Sequence, residues 1–334
     1  LITTIAKIVP ILAFVVLIAF LGFSWDKFTL DFWGRASEAS VFEQVQGIML
    51  FTVWVFIGVE GASVYSKQAS KRTDVGRATV IGFFSVLALL VSVSTLSFGV
   101  MSKEELAALP DNSMASVLTE VIGPWGGALV SIGLCLSVLG AYVSWQMLCA
   151  EPIVMMAIDG LIPRRIGTIN VAGAPWVAQL ISTMAIQLFI IVFYLNEASY
   201  NAMVQLATIM YLLPYIFSSL YLLLLALRGK GLSHPQAGIK FDLSGPEVSR
   251  KDNRKHLVIS SLAFIYSLWL IYAADLVYVL LGALAVVPGL IPYVGTRLWK
   301  KERIFNTFEW CVVAIVLAGA ATAIWGLSTG WLTL

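Results

Sequence analysis

The feature that most constrains this chain is a succession of long apolar runs. There are nine of them in the 334 residues, near 3–23, 42–65, 78–100, 121–148, 175–195, 202–227, 257–274, 276–297 and 307–328. A helix needs about 20 mostly apolar residues to cross the hydrocarbon core of a bilayer. Backbone groups at that depth must be satisfied within the segment, which favours helices over open strands. The sequence therefore predicts an all-α integral membrane protein, a helical bundle of about nine spans forming one transmembrane domain over residues 1–334.

The composition leads to the same class. Hydrophobic residues make up 59% of the chain and charged residues only 12%, whereas a soluble domain has about 25% charged residues. A net charge of +2 gives no reason to expect a nucleic-acid partner. The three cysteines and two histidines show no metal-ligand spacing. We therefore expect the lipid bilayer as a partner and neither a metal nor a cofactor.

The positive charges predict the orientation. When alternate loops are assigned to the same side, one side receives 18 of the 21 Lys and Arg residues. These are Lys7, Lys67, Lys71, Arg72, Arg77, Arg164, Arg165, Arg228, Lys230, Lys240, Arg250, Lys251, Arg254, Lys255, Arg297, Lys300, Lys301 and Arg303. Cytoplasmic loops carry the excess of Lys and Arg. The N-terminus is therefore predicted inside and the C-terminus outside.

One acidic residue lies well inside a predicted span. Glu60 lies inside the second apolar run, seven residues before Lys67, which follows that run. The other acids of the spans lie within reach of a membrane interface. A charge at the centre of a bilayer costs about 2.5–3.5 kcal/mol on insertion scales, so such a residue suggests a functional site. The structural alternative is a protonated glutamate that is hydrogen-bonded to a neighbouring helix.

The surroundings of Glu60 predict a break in the second span. Gly58 and Gly61 bracket the acid, and glycine both weakens a helix and allows other backbone conformations. Discontinuous helices of this kind build substrate sites in membrane transporters, where unwound carbonyls can bind a cation. Trp54 precedes the break and could hold a cation against its ring face; packing is the alternative interpretation of this side chain.

The segment Trp54-Val55-Phe56-Ile57-Gly58-Val59-Glu60 resembles the sixth span of bacterial basic amino acid/polyamine antiporters. These belong to the amino acid–polyamine–organocation superfamily. Further segments are similar to the family's cytoplasmic loop, its eighth span and its tenth span. They are Lys67–Arg77, Leu148–Gly160 and Tyr211–Tyr215. The arginine–ornithine antiporters resemble the chain most, with lysine carriers and arginine–agmatine exchangers nearby.

The resemblance implies an inverted-repeat transporter fold, in which two repeats of five helices are followed by additional helices. The first predicted span would then be the family's fifth. Leu1 opens directly into an apolar run, so we expect four further spans to precede this chain in a longer protein. The resemblance also implies a multi-pass protein of the bacterial cytoplasmic (inner) membrane.

The resemblance further implies the roles of individual residues. Trp54 would stack on the substrate side chain, and the backbone from Trp54 through Ile57 to Gly58 would accept from its ammonium group. Glu60 would act as a gate. An aromatic residue of the eighth span would close the site, and the sequence does not choose between Tyr142 and Trp145. Tyr215 would lie near the outer side of the site.

These observations predict a secondary active amino acid transporter that exchanges basic amino acids, arginine for ornithine, by alternating access. The alternative is a proton-coupled amino acid or polyamine permease. A membrane-embedded enzyme is disfavoured because no span holds a histidine pair or two aspartates, and a scaffold would not need Glu60. Beside the amino acid substrate and the bilayer, we allow for a homodimer.

Overall fold

The structure is a computed structural model that describes residues 2–28, 33, 39–64, 71–110, 112–195, 199–229 and 248–332. Every regular element within these ranges is helical, which confirms the all-α prediction. The α-helices are α1 (Ile2–Leu17), α2 (Val41–Phe56), α3 (Gly61–Val64), α4 (Arg72–Ser97), α5 (Lys103–Ala107), α6 (Ser113–Ile122), α7 (Pro124–Ile158), α8 (Trp176–Leu195), α9 (Tyr200–Arg228), α10 (Arg250–Ala273), α11 (Leu276–Trp299) and α12 (Thr307–Thr329). A π-helical turn at Ile18–Gly22 extends α1, and a 3-10 turn at Arg164–Gly167 follows α7.

Eight helices in the described part of the chain are long and apolar enough to cross a membrane. They are α1 with its π-helical turn, α4, and the six helices from α7 to α12. A multi-span helical membrane protein is thereby confirmed.

The second predicted span is discontinuous, as the sequence predicted. Helix α2 ends at Phe56 and α3 begins at Gly61, with turns over the intervening residues. Because α2 has 16 residues, it is about 24 Å long at 1.5 Å per residue. That is less than the hydrocarbon thickness of about 30 Å, so α2 alone cannot cross the membrane.

Helix α7 is longer than the apolar run that predicted it. It runs past Leu148 to Ile158 with Pro152 inside. Proline removes one backbone donor and so breaks one bond of the helical ladder, but the helix continues for another turn and a half. It ends where Gly160 adopts a φ of +70°, the left-handed conformation that glycine provides at helix C-termini.

The last four helices begin on side chains that cap their first turns. Ser199 and Ser249 accept from the N–H of Ala202 and Asp252, at 3.2 and 3.3 Å. Two further caps, Asp275 and Asn306, begin α11 and α12 in the same way. A capping side chain satisfies an N–H that has no partner within the helix, which fixes where these helices start.

The chain divides into two compact units, each described by itself below. The first consists of Leu1–Val41 and Gly58–Leu148, and the second of Phe42–Ile57 and Cys149–Leu334. The three division points fall between Val41 and Phe42 at the start of α2, between Ile57 and Gly58 within the break, and between Leu148 and Cys149 within α7. The sequence-based assignment of one transmembrane domain stays a prediction.

Each unit has its own apolar core. In the first unit, Phe14 and Ile18 of the first span are fully buried against Val117 and Leu118 of α6. In the second unit, the buried cluster consists of Leu50, Ile209, Leu212 and Leu270, which come from α2, α9 and α10. The core of the second unit packs α2, the helix that carries Trp54, against α9 and α10.

Candidate functional site

The break after α2 is built from i→i−3 backbone hydrogen bonds. The N–H of Ile57 donates to the carbonyl of Trp54 at 3.1 Å, and the N–H of Gly61 donates to the carbonyl of Gly58 at 3.0 Å. Gly58 lies between them with a φ of +105°, which non-glycine residues rarely adopt. The i→i−4 ladder is therefore interrupted at a position that requires glycine.

The side chain of Glu60 stabilises this break. Its Oε2 accepts a hydrogen bond from the backbone N–H of Gly58 at 2.9 Å, and its backbone carbonyl accepts from Val64 at 3.3 Å as α3 begins. A carboxylate is a strong acceptor for a backbone N–H that has left a helical ladder. The acid that the sequence singled out as costly thus has a local structural partner in the broken segment.

The indole ring of Trp145 lies directly against the break. A Cβ atom placed on Gly58 would stand 3.2 Å from Cζ2 and 3.5 Å from Cη2 of Trp145. A Cβ on Gly61 would meet Leu148 at 4.0 Å, an ordinary van der Waals distance. Residues 145 and 148 are three apart on α7 and so share one face, along which the broken segment packs within the first unit.

Tyr142 lies one turn before Trp145 on the same helix. Its hydroxyl accepts a hydrogen bond from Nε2 of Gln146 at 2.9 Å, and the residue is 49% exposed. Gln146 is a polar side chain inside a predicted span, and it was not among the site residues predicted from the sequence. A survey of uncharged amides in the spans, besides the ionisable residues, would have found it.

In the second unit, Trp54 contacts Tyr200, the first residue of α9. The two ring centroids are 6.1 Å apart and the planes stand at 88°, the edge-to-face arrangement that aromatic pairs prefer. Tyr200 was not predicted as a site residue, because it belongs to no sequence motif. The pair is formed by residues 146 positions apart in the chain, which no local pattern reveals.

Tyr215 is half-buried in the second unit and packs against the cluster of Leu50, Ile209, Leu212 and Leu270. Its ring lies 6.3 Å from that of Tyr211, one turn earlier on α9. The first unit thus brings Gly58, Glu60 and Trp145 together. The second unit places Trp54 against Tyr200 at the start of α9 and Tyr215 farther along the same helix. Ile57 donates its N–H to the carbonyl of Trp54.

The sequence of the chain is similar to those of known membrane transport proteins. Residues 1–317 match the amino acid permease family. The chain belongs to this family. Its fold, a set of apolar helices with one broken span, is that of a multi-pass transporter of the bacterial inner membrane.

Three relatives illustrate the similarity. The L-lysine transport protein of Corynebacterium glutamicum is 63% identical over 334 residues, which is all of this chain and 67% of that protein. The arginine/ornithine antiporter of Pseudomonas aeruginosa is 42% identical over 341 residues, covering all of this chain and 68% of the antiporter. The arginine/agmatine antiporter of Chlamydia pneumoniae is 34% identical over 338 residues, covering 98% and 66%. The chain spans about two thirds of the length of each.

Proposed function

We propose that this protein is a secondary transporter of basic amino acids that exchanges lysine, arginine or ornithine across the membrane. The observation that carries the proposal is the carboxylate of Glu60 in a break of an apolar helix, hydrogen-bonded to Gly58. An acid inside an apolar span is costly, so its presence there favours a functional role. All three relatives are named for the transport of amino acids with cationic side chains or of the cation agmatine.

The broken backbone is the proposed binding segment for the α-amino end or the side-chain ammonium of the substrate. Discontinuous helices place carbonyl groups at membrane depth where they face a cavity. Trp54, Ile57 and Gly58 supply the backbone here, and the Trp54 ring adds a face for a cation. The Trp54 and Tyr200 rings meet edge to face, and this contact fixes the orientation of the Trp54 ring.

Glu60 is the proposed gate. A carboxylate can accept about four hydrogen bonds, so a bond from the Gly58 N–H and one from a substrate ammonium are compatible. A substrate that draws the carboxylate would weaken its bond to Gly58. Substrate binding and the conformation of the break would then be coupled through a single side chain.

Trp145 is the aromatic residue that we propose for the substrate site on α7, in preference to Tyr142. Its ring lies against Gly58, whereas the Tyr142 hydroxyl accepts a hydrogen bond from Gln146 on the same helix. Tyr215 is proposed as a further lining residue on α9. It packs against the cluster that includes Leu50 of α2, the helix that carries Trp54.

Exchange of radiolabelled lysine in proteoliposomes tests this function. Vesicles containing the full-length protein are loaded with lysine, arginine, ornithine, leucine or buffer, and uptake of external lysine is followed. We expect rapid uptake into vesicles loaded with any of the three basic amino acids and background uptake with leucine or buffer. Equal uptake with leucine inside would contradict selectivity for basic amino acids.

The same assay separates exchange from the alternative, proton-coupled uptake. A proton-coupled permease would fill buffer-loaded vesicles when an inwardly directed proton gradient is imposed. An exchanger would leave these vesicles at background whatever the gradient. Gradient-driven uptake into empty vesicles would therefore replace the exchange mechanism and retain the transport of basic amino acids.

A further inference from the structure

The start of α10 carries a concentrated positive surface. Four basic side chains line an open groove of about 800 Å³ together with Val258 and Ile259. They are Arg250, Lys251, Arg254 and Lys255. All four are exposed, and across the described ranges none is paired with a carboxylate; the ion pair seen there joins Arg297 and Glu302.

The groove has a polar end and an apolar end. Residues four apart lie above one another on a helix face, so Arg250, Arg254 and Val258 form one row. Lys251, Lys255 and Ile259 form the neighbouring row. In both rows two basic residues are followed by an aliphatic one. The charged part of the groove therefore gives way to the aliphatic part at the same height along the helix axis in both rows.

The apolar end continues along the same exposed face. Leu262 and Ile265 are each 63% exposed, and they extend the aliphatic surface for about two further turns beyond Val258. The opposite face of α10 is the packed one. There Asn253 donates to the carbonyl of Ala226 on α9 at 2.9 Å, and Ser260 is fully buried.

The one acid in α10, Asp252, is outnumbered by the four basic residues of the groove. Asp252 lies between the basic residues in sequence, but its side chain accepts from the Ser249 hydroxyl at 2.7 Å as part of the cap. At 100° per residue it lies about 120–160° around the helix from Arg250, Arg254 and Val258, and about 60° from Lys255. The basic rows therefore present a local excess of positive charge above an exposed aliphatic surface.

We propose that this groove binds an anionic phospholipid, with the phosphate among the four basic side chains and an acyl chain along Val258, Ile259 and Leu262. Clusters of Lys and Arg at the membrane end of a helix attract anionic headgroups. An inorganic anion would use only the polar end of the groove. A phospholipid matches both ends, because its charge and its hydrocarbon meet at one level.

Lipid binding to the purified full-length protein tests the proposal independently of transport. Delipidated protein is titrated with dioleoylphosphatidylglycerol or dioleoylphosphatidylcholine, and bound lipid is counted by native mass spectrometry. We expect the phosphatidylglycerol to bind at least about tenfold more tightly. Equal affinity for the two lipids would overturn the proposal.

Two double variants with the same change in charge locate the site. Arg250→Gln with Arg254→Gln should weaken phosphatidylglycerol binding by roughly ten- to thirtyfold, since two charges near the headgroup are lost. Arg164→Gln with Arg165→Gln removes two exposed arginines on the same predicted side and should change it by less than about threefold. Equal weakening by both would show a diffuse charge effect and overturn the site.

A third variant and a competitor test the apolar end. Val258→Ser with Ile259→Ser keeps every charge and should weaken phosphatidylglycerol binding several-fold, because acyl contact area is lost. Inorganic phosphate at 100-fold excess over the lipid should not displace it. Displacement by phosphate, or unchanged binding in the serine variant, would show an anion site without lipid contact and contradict the proposal. Matching thermal unfolding curves confirm that each variant is folded.

Discussion

The carboxylate of Glu60 accepts a hydrogen bond from the backbone N–H of Gly58, two residues earlier, at 2.9 Å. This contact joins the two features for which the second span is unusual, an acid in an apolar run and a glycine at a φ of +105°. The acid and the glycine explain one another. The break exposes an N–H that needs an acceptor, and the acid needs a donor if it is to lie inside a membrane protein.

The first prediction separates the hydrogen bond of Glu60 from its charge. Glu60→Gln keeps a side-chain oxygen that can accept from Gly58, whereas Glu60→Ala leaves this N–H without its acceptor. We expect the alanine variant to lose about 1.5–3 kcal/mol of stability, the typical contribution of a hydrogen bond to a charged group. The glutamine variant should lose less than half of that. Thermal unfolding in detergent measures both, and equal losses would contradict the capping role.

The second prediction concerns the backbone of the break. Gly58→Ala forces a side chain into a positive φ and places its Cβ 3.2 Å from the Trp145 ring. A residue held in such a conformation costs about 1–3 kcal/mol, so the variant should be less stable and transport more slowly. Gly61→Ala is the matched control, because its Cβ meets Leu148 at an ordinary 4.0 Å. If the two variants behaved alike, Gly58 would have no special conformational role.

The third prediction decides between the two aromatic residues of α7. Trp145→Leu removes the ring that lies against Gly58 and should raise the KM for lysine about two- to thirtyfold, the range of a lost cation–π contact. Tyr142→Phe removes only the hydroxyl that accepts from Gln146 and should change the KM by less than about twofold. A larger effect in the tyrosine variant would reverse the assignment.

The fourth prediction tests whether Trp54 acts on the substrate or only packs. Trp54→Leu and Tyr200→Leu each break the edge-to-face pair, so both should reduce stability by about 0.5–1.5 kcal/mol beyond the lost burial. Only Trp54→Leu should also weaken lysine binding, by about two- to thirtyfold. Equal lysine affinity in the two variants would mean that Trp54 is a packing residue.

The sequence predicted the features that depend on local chemistry. Apolar length predicted the helices, because a span must satisfy its own backbone. Gly58, Glu60 and Gly61 predicted the break, because an acid and two glycines within four positions all oppose a regular helix in hydrocarbon. The resemblance of Trp54–Glu60 to a family motif added amino acid transport, which the match to the amino acid permease family confirms.

The sequence did not predict contacts between distant segments. Nothing near Trp54 points to Tyr200, and nothing near Gly58 points to Trp145 rather than Tyr142, because these partners are chosen by helix packing. The apolar run near 121–148 also stops short of the end of α7, which continues through Pro152 to Ile158. A proline within a helix removes a single hydrogen bond, and two of the apolar residues that follow it, Val154 and Ala157, are buried.

Equilibrium binding of lysine and norleucine to wild-type protein and to Glu60→Gln tests the central claim most directly. Norleucine has the carbon skeleton of lysine without the ammonium group, so the ratio of the two affinities isolates recognition of that charge. We predict that the wild type prefers lysine at least about tenfold, or about 1.4 kcal/mol, and that Glu60→Gln loses most of this preference while remaining folded. An unchanged preference in the glutamine variant would contradict the account, because Glu60 would then serve the break alone and not the substrate.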